Sequence, residues 1–394
     1  MALITPYVAT TLPGGLMERR GFLQTSLAVA AAGLVPVTAL RPSTRFLRRT
    51  AGAVPGLAKT IRLSSNENPL GLSEAARRAV AEGLDEANRY PGEWRRRVVA
   101  ALAAKHQVKP EQIVMGNGST EVLQMIVQSA GAGATVIVAD PTFEDVPRYA
   151  QRIGVRVEKV PLASGYTHDL GRMREVAARA TGPVLVYVCN PNNPTGTITP
   201  SAEVDEWIAS APERITFAVD EAYFEYASDA SYWSAQKWIE THPNVIVVRT
   251  FSKIYAMAGM RLGYAIAHPA AAERLERYSA GSNANQLALA AGLASLSDDA
   301  FARKSLEVNR QGLQSLYRCL EDLDLEYLPS QTNFVMHRIP GDLPTYNGRM
   351  RDHNIMVGRP FPPMVTYSRV SIGLPEEMSA FTDTLRAFRR QGWV

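Results

Sequence analysis

Residues 244–264, NVIVVRTFSKIYAMAGMRLGY, place Lys253 just beyond an apolar run and Arg261 a short way further along the chain. Lysine side chains are mostly exposed unless they are paired, so a lysine directly after a buried-looking strand needs an explanation. A Ser-Lys pair by itself is more often a surface or structural feature. The role of Lys253 therefore depends on what the rest of the chain supplies.

Short apolar runs alternate with longer helical patterns from residue 61 onward. The runs cover residues 112–115, 135–139, 155–160, 184–189, 215–219, 245–248 and 262–266, and helical candidates between them cover residues 119–131, 143–152 and 201–211. Nearly continuous apolar strands separated by helices are typical of a mostly parallel sheet that is covered on both faces. The sequence therefore predicts an α/β fold.

The pattern changes after Asn283, where a long helical region is followed by short strands and a last helix. We expect a large domain at residues 95–282 and a smaller α+β domain at residues 283–394. The N-terminal segment of residues 61–94 is expected to join the smaller domain. A chain of 394 residues, 46% of them hydrophobic and 20% charged, is long enough for this arrangement.

The composition argues against several classes of protein. The excess of positive over negative charge lies before residue 61, and the rest of the chain is close to neutral, so a basic face suited to nucleic acid is not expected. The two cysteines, Cys189 and Cys319, are predicted to be buried free thiols, with a single disulfide as the rarer alternative. The six histidines are scattered and form no pair at metal-ligand spacing, so no metal is expected.

The first sixty residues differ in character from the rest. The pair Arg19-Arg20 precedes an apolar stretch and then small residues, which is the layout of a twin-arginine export signal. We expect residues 1–39 to be this signal, with Met17 as an alternative start, and residues 40–60 to be a linker. The apolar stretch is short for a membrane span, so no stable membrane anchor is expected. The predicted location is the periplasm; an amphipathic or disordered tail would instead leave the protein in the cytoplasm.

Polar residues follow five of the predicted strands. In an open α/β sheet, ligands collect beyond the carboxyl ends of the strands, so these residues should meet at one edge. They are residues 116–120 (GNGST), 140–143 (DPTF), 190–196 (NPNNPTG), 220–223 (DEAY) and 252–253 (SK). This edge would present hydrogen-bond donors, a carboxylate, a phenol, an aromatic ring and an amine.

This ordered set resembles the fold-type-I pyridoxal-phosphate enzymes, and most closely the histidinol-phosphate aminotransferase branch of the class I/II aminotransferases. The resemblance runs from about residue 63 to the C-terminus and rests on LSSNENPLG, RYPG, GNGSTEVL, DPTF, NPNNPTG, DEAYFEY, TFSKIYAMAGMRLGY and YSRVSIG. One such motif alone is weak evidence for a family, but all eight motifs in this order are a specific signal. The resemblance implies pyridoxal 5′-phosphate as cofactor, a small-molecule amino donor and a 2-oxo acid as partners, and transamination as the reaction.

The resemblance also assigns the groups around the cofactor ring. Lys253 matches the Schiff-base lysine, which as a neutral amine attacks the cofactor aldehyde and later moves the substrate's α-proton. Asp220 would pair with the ring nitrogen, and Tyr223 and Asn193 would hydrogen-bond the ring oxygen O3′. Taken from the residues alone, Asp220 could be a helix cap, Tyr223 a half-buried core residue and Asn193 part of a turn.

The cofactor phosphate is assigned to a second group of residues. Gly118, Ser119 and Thr120 open a helix candidate, where free backbone amides favour an anion, although a plain helix cap would look the same. Ser252 and Arg261 would complete this site, Arg261 as a fixed fork toward phosphate oxygens.

Three further residues follow from the same resemblance. Phe143 would stack on the pyridine ring, the alternative being a core phenylalanine. Arg369 would bind the substrate carboxylate together with Asn193, although a lone arginine in an edge strand is usually solvated. Tyr90 would reach the phosphate of a neighbouring subunit, so the resemblance implies a homodimer.

Two other functions stay open at this stage. The same scaffold serves α-decarboxylases similar to the threonine-phosphate decarboxylases, and it also occurs in non-enzymatic regulators fused to a DNA-binding module. No helix-turn-helix pattern precedes residue 61, which argues against the second.

The segment NIMVGRPFPPMVTYSRVSIG departs from the family pattern. In that pattern an arginine thought to help hold the substrate phosphate follows the strand directly, whereas here Gly358 stands in that place and Arg359 comes one residue later. A shift of one residue along a strand reverses the side that a residue faces. We therefore expect a donor with a free carboxylate and an apolar or aromatic side chain rather than histidinol phosphate.

Overall fold

The computed structural model describes residues 60–394, and the predicted export signal lies outside them. Within these residues the strands are β1 (Ile61–Leu63), β2 (Ile113–Gly116), β3 (Thr135–Asp140), β4 (Arg156–Pro161), β5 (Val184–Cys189), β6 (Ile215–Asp220), β7 (Val245–Thr250), β8 (Gly263–Ala267), β9 (Tyr327–Leu328), β10 (Phe334–Arg338), β11 (Ile355–Val357) and β12 (Tyr367–Ser371). The α-helices are α1 (Glu74–Gly83), α2 (Gly92–His106), α3 (Gly118–Ala130), α4 (Asp145–Arg152), α5 (Leu170–Arg179), α6 (Ser201–Ser210), α7 (Pro269–Glu276), α8 (Gln286–Leu296), α9 (Asp299–Asp322), α10 (Leu343–Asp352) and α11 (Pro375–Arg390).

Seven strands form one sheet in the order β2-β8-β7-β6-β5-β3-β4. β8 runs antiparallel to β2 and β7, and every other neighbouring pair in this sheet is parallel. Runs such as VLVYVC in β5 are buried at every position, because a parallel sheet with helices on both faces has no solvated side. The prediction of a mostly parallel sheet in an α/β fold is confirmed.

Helices cover both faces of this sheet, and each strand contributes to two cores. Along β3, Val138 belongs to a core shared with α3, α4 and α7, whereas the preceding Ile137 belongs to a core shared with α2, α5, α6 and α8. Successive side chains of a strand point to opposite faces, so an unbroken apolar run fills both cores at once.

The remaining strands form two smaller sheets. Strands β12, β10 and β9 make an antiparallel sheet in that order, and β1 pairs in parallel with β11, so the start of the described chain is attached to its C-terminal part. A separate core there includes Leu316 of α9, Met350 of α10 and Phe381 of α11. The limits predicted for the large and small domains stay predictions.

Both cysteines are buried and free, as predicted. Among residues 60–394, no helix combines the length and the apolar character that crossing a membrane requires.

Candidate active site

A cavity of about 370 Å³ lies beyond the carboxyl ends of β3, β5, β6 and β7. Small-molecule sites commonly have volumes of ~300–1,000 Å³. Most of the predicted site residues line it, namely Ser119, Thr120, Phe143, Asn193, Asp220, Tyr223, Ser252, Lys253, Arg261 and Arg369. Gly118 lies beside the cavity, in contact range of the Arg261 guanidinium. The structure therefore brings together residues that are far apart in the sequence.

Strand register places the carboxylate and the amine at the same edge. Cys189 at the end of β5 lies opposite Asp220 at the end of β6, and Asp220 lies opposite Val248 of β7. Lys253 follows β7 after a turn in which the Ser252 amide donates to Thr250 Oγ1 at 3.1 Å. The positions of Asp220 and Lys253 are therefore set by neighbouring strands of the sheet.

Lys253 is half-buried, and its Nζ donates to the backbone oxygen of Asn66 at 3.2 Å. Burial, together with the positive charge of Arg369, lowers the pKa of this amine to about 8. Nζ also lies 5.4 Å from the centre of the Tyr223 ring. Because a sizeable fraction of such an amine is uncharged near neutral pH, it can act as a nucleophile or as a base.

Asp220 is buried, with 2% of its surface exposed. Its Oδ2 accepts a hydrogen bond from Tyr187 Oη at 2.8 Å, and its Oδ1 accepts one from the amide of Ala222 at 3.1 Å. Burial raises the pKa of this carboxyl to about 6, and the bond from Tyr187 opposes the rise. At neutral pH Asp220 is therefore mainly ionised, and a buried negative charge calls for a cationic partner.

Tyr223 and Asn193 each connect to another part of the chain. Tyr223 Oη accepts a hydrogen bond from Asn66 Nδ2 at 3.0 Å, and Asn193 Oδ1 accepts one from Arg369 Nη1 at 2.6 Å. Burial raises the pKa of the Tyr223 hydroxyl, so this group keeps its proton and can donate to an acceptor in the cavity.

Arg369 is buried in β12, with 7% of its surface exposed. Besides its bond to Asn193, its Nη2 donates to the backbone oxygen of Ser64 at 2.9 Å, and its buried Nε has no hydrogen-bond partner among the described residues. Burial lowers the pKa of the guanidinium to about 10, which still leaves it charged at neutral pH. The alternative of a solvated edge-strand arginine is wrong, and a buried cation that lines the cavity fits an anionic ligand.

The start of α3 forms the other end of the cavity. α3 begins at Gly118, whose φ of +75° lies in the left-handed region, and Ser119 and Thr120 follow in its first turn. Arg261 Nη1 donates to the backbone oxygen of Ala258 at 2.9 Å and lies 3.5 Å from Ser252 Oγ. Free amides at a helix start, hydroxyls and a guanidinium together make an anion site.

Side chains from the start of α4 and from the segment between β11 and β12 meet at one side of the cavity. Arg359 Nη2 lies 2.7 Å from Glu144 Oε2, and Glu144 also forms an ion pair with Arg148. The Arg359 guanidinium lies 4.3 Å from the centre of the Phe361 ring. Arg359, Glu144, Arg148 and Phe361 all line the cavity, so the charge of Arg359 is already paired there.

Gly358 cannot carry a side chain in this structure. Its amide donates to the backbone oxygen of Arg369 at 2.7 Å, and an added Cβ would lie 2.7 Å from that oxygen. The one-residue shift noted in the sequence therefore places the backbone of residue 358 against Arg369 and leaves Arg359 to reach the cavity.

The sequence did not predict a role for two residues, Asn66 and Tyr187. A third residue, Tyr90, was predicted to bind the phosphate of a neighbouring subunit and lies outside the cavity of its own chain. Asn66 lies in the quoted LSSNENPLG segment, but its contact with Lys253 spans 187 positions and has no local signal. Tyr187 lies within the apolar run of β5, where nothing in the sequence distinguishes it from a core residue. The only signal is that side chains alternate along a strand, which puts Tyr187 on the same face of the sheet as Cys189. Tyr90 is 89% exposed and is not among the residues that line the cavity of its own chain.

The fold and the cavity define a class of protein, the pyridoxal-phosphate-dependent transferases of fold type I, in which cofactor and substrate meet at the carboxyl edge of such a sheet. Within that class, the chain belongs to the aminotransferase class I and II family, whose sequence profile matches residues 58–381.

Known proteins support the same assignment. A histidinol-phosphate aminotransferase 2 of Ralstonia nicotianae is 40% identical over 329 residues, which cover 82% of this chain and 87% of that protein. A solved protein of Erwinia carotovora atroseptica, described as a candidate histidinol-phosphate aminotransferase, has a TM-score of 0.83 and 40% identity, and the match covers 85% of this chain and 97% of that one. The histidinol-phosphate aminotransferase of Sinorhizobium meliloti, solved with pyridoxal 5′-phosphate, has a TM-score of 0.79 and 28% identity over 84% of this chain and 92% of that one.

The chain is a pyridoxal-phosphate-dependent aminotransferase, and its cavity residues fit that cofactor. The start of α3 with Arg261 suits a phosphate, the buried carboxylate of Asp220 suits a protonated ring nitrogen, and the Lys253 amine suits an aldehyde. The buried guanidinium of Arg369 lines the cavity and suits an acidic substrate group.

Proposed function

We propose that this aminotransferase holds its cofactor through Lys253 and binds the carboxylate of its substrates at Arg369. The observation that carries the proposal is the Lys253 amine, which has a lowered pKa and lines the same cavity as Asp220, Arg261 and Arg369. The partners are a small-molecule amino donor and a 2-oxo acid.

When bound, pyridoxal 5′-phosphate supplies an aldehyde that exchanges amines and a ring that takes up electron density released at the substrate Cα. Asp220 would hold the proton at the ring nitrogen, and Tyr223 and Asn193 would orient the ring through hydrogen bonds to its oxygen. The free amine of Lys253 would carry the proton to and from the substrate Cα. Gly118, Ser119, Thr120, Ser252 and Arg261 would hold the phosphate, and Phe143 would pack on the ring.

A half-reaction distinguishes transamination from the decarboxylase alternative. Adding an amino donor alone to the holoenzyme should convert the bound cofactor to its pyridoxamine form, seen by absorbance, without release of carbon dioxide. Carbon dioxide release would contradict the proposal, and so would an unchanged spectrum with every donor, which is the behaviour of a non-enzymatic protein of this fold.

For the donor we propose an amino acid with a free α-carboxylate and an apolar or aromatic side chain. The relatives are named for histidinol phosphate, but Gly358 occupies the place where the family pattern has a phosphate-holding arginine. Arg359 reaches the cavity with its charge paired to Glu144, and Phe361 lies beside it. The Phe361 ring gives this part of the cavity apolar surface, which suits an apolar or aromatic side chain.

We also propose a homodimer in which Tyr90 enters the phosphate site of the neighbouring subunit. Its large exposure and its absence from the cavity of its own chain support this, because an exposed tyrosine ring leaves apolar surface for a partner.

Export through a twin-arginine signal is a further proposal, and it rests on sequence alone. Such a route carries folded proteins, so the cofactor can be loaded before transport. Changing Arg19 and Arg20 to lysine should leave the protein in the cytoplasm. An unchanged periplasmic yield of the double variant would contradict export by this route.

A further inference from the structure

We propose that Tyr187 is a positioning residue that keeps the Asp220 carboxylate ionised and directed at the cofactor's ring nitrogen, an inference that rests on the cofactor placement proposed above. Tyr187 is not among the residues that line the cavity, so it acts through Asp220.

Strand geometry brings the two side chains together. In the parallel pair β5 and β6, Tyr187 lies opposite Ala218 and Cys189 lies opposite Asp220. Alternate residues of a strand share a face, so Tyr187 and Asp220 point to the same side of the sheet. Tyr187 is fully buried, and its Oη donates to Asp220 Oδ2 at 2.8 Å.

The hydrogen bonds fix the plane of the carboxylate. Tyr187 donates to Oδ2, and the amide of Ala222 donates to Oδ1 at 3.1 Å. Each oxygen keeps acceptor capacity for an N–H in the cavity. Removing the Tyr187 hydroxyl would leave a buried charged oxygen without its donor, which is more costly than losing a hydrogen bond at the surface.

The same bond controls the charge of Asp220. Burial raises its pKa to about 6 even with Tyr187 donating, so loss of the bond raises the pKa further. The other titratable side chains that act on Asp220 are Cys189 on β5, Glu221 and Tyr223 beyond β6, and Lys253 beyond β7. A protonated Asp220 no longer balances a protonated ring nitrogen, so the cofactor is held less tightly.

The experiment compares cofactor affinity in four full-length variants with the wild type: Tyr187→Phe, Asp220→Asn, the double variant, and Tyr264→Phe. Tyr264 is the matched control, because it is buried and its hydroxyl lies 2.8 Å from His106 Nε2, away from the cavity. The apo proteins are titrated with pyridoxal 5′-phosphate, and binding is followed by visible absorbance between about pH 6 and about pH 9.

Tyr187→Phe should weaken binding roughly tenfold near neutral pH, since it removes a hydrogen bond to a buried charge. The difference should shrink at high pH, and the pH below which affinity falls should move upward relative to the wild type. Tyr264→Phe should bind like the wild type, and in the Asp220→Asn background Tyr187→Phe should have no further effect.

Equal binding by Tyr187→Phe and Tyr264→Phe would overturn the role of Tyr187. So would a Tyr187→Phe effect of the same size with and without Asp220→Asn. If Asp220→Asn alone binds the cofactor as tightly as the wild type, the underlying placement of the cofactor is wrong, and the inference fails with it.

Discussion

Lys253 Nζ lies 3.2 Å from the backbone oxygen of Asn66, which is 187 positions earlier in the chain. Asn66 also donates to Tyr223 Oη at 3.0 Å, and its Oδ1 accepts from Ser371 Oγ at 3.0 Å. A buried network between β1 and β12 therefore holds the amine, and its environment depends on the whole fold rather than on its own loop.

Replacing Lys253 by alanine should abolish the visible band of the bound cofactor and lower kcat by several orders of magnitude, because the attaching amine and the base are lost together. Lys237→Ala is the control, since that lysine is half exposed and pairs with Asp205 at the surface. Absorbance and single-turnover kinetics measure the two effects. Normal turnover by Lys253→Ala would exclude the proposed role.

The attachment of cofactor to the apo protein should depend on pH with a midpoint near the pKa of Lys253, about 8. The lowered pKa makes the reactive neutral amine available at lower pH than in an ordinary lysine. Below the midpoint the rate should fall ~10-fold per pH unit, and above it the rate should level off.

A neighbouring charge provides the check on this pH dependence. Arg369 lowers the pKa of Lys253, so Arg369→Leu should move the midpoint upward, whereas Arg338→Leu, at an exposed ion pair, should not. Stopped-flow absorbance across the pH range measures both. If the midpoint of cofactor attachment in the wild type lay near the pKa of an ordinary lysine, Lys253 could not be the attaching amine with a lowered pKa.

Much of the site could be predicted because parallel strands deliver their following residues to one edge. Asp220 ends the strand β6 and Lys253 follows the neighbouring strand β7 after a short turn, so the sheet order brings them to the same edge. Contacts between distant segments carry no such signal, which is why Asn66 and the bond between Tyr187 and Asp220 were not predicted. The direction of Arg359 depends on the path of a loop, which periodicity does not determine.

Gly358→Ala should displace Arg369, because the new Cβ would lie 2.7 Å from its backbone oxygen. We expect KM for the donor to rise and stability to fall, since overpacking typically costs ~1–3 kcal/mol. Gly341→Ala is the matched control, because an added Cβ there meets nothing within 4 Å. Steady-state kinetics and thermal unfolding report the effects, and equal behaviour of both variants would show that Gly358 is not packed tightly.

Two inactive chains should complement each other if Tyr90 serves the neighbouring site. In a heterodimer of Tyr90→Ala and Lys253→Ala chains, one site keeps Lys253 and receives an intact Tyr90. An equal mixture, dissociated and reassembled, should therefore recover about a quarter of the wild-type sites by two-fold symmetry. Light scattering gives the oligomeric state. A fully active monomer at micromolar concentration would rule the arrangement out.

The preference for one amino donor over another should depend on the charges beside Phe361, which belong to Arg359 and Glu144. Since Glu144 pairs with Arg359 at 2.7 Å, the wild type should use phenylalanine, tyrosine or leucine with a higher kcat/KM than histidinol phosphate. Glu144→Gln removes that partner charge and leaves Arg359 free for an anion, so it should raise kcat/KM for histidinol phosphate relative to phenylalanine. Glu175→Gln, on the exposed side of α5, is the control that changes net charge without touching the cavity. A wild type that clearly prefers histidinol phosphate over all three amino acids would show that Arg359 or Arg369 still serves a phosphate despite Gly358.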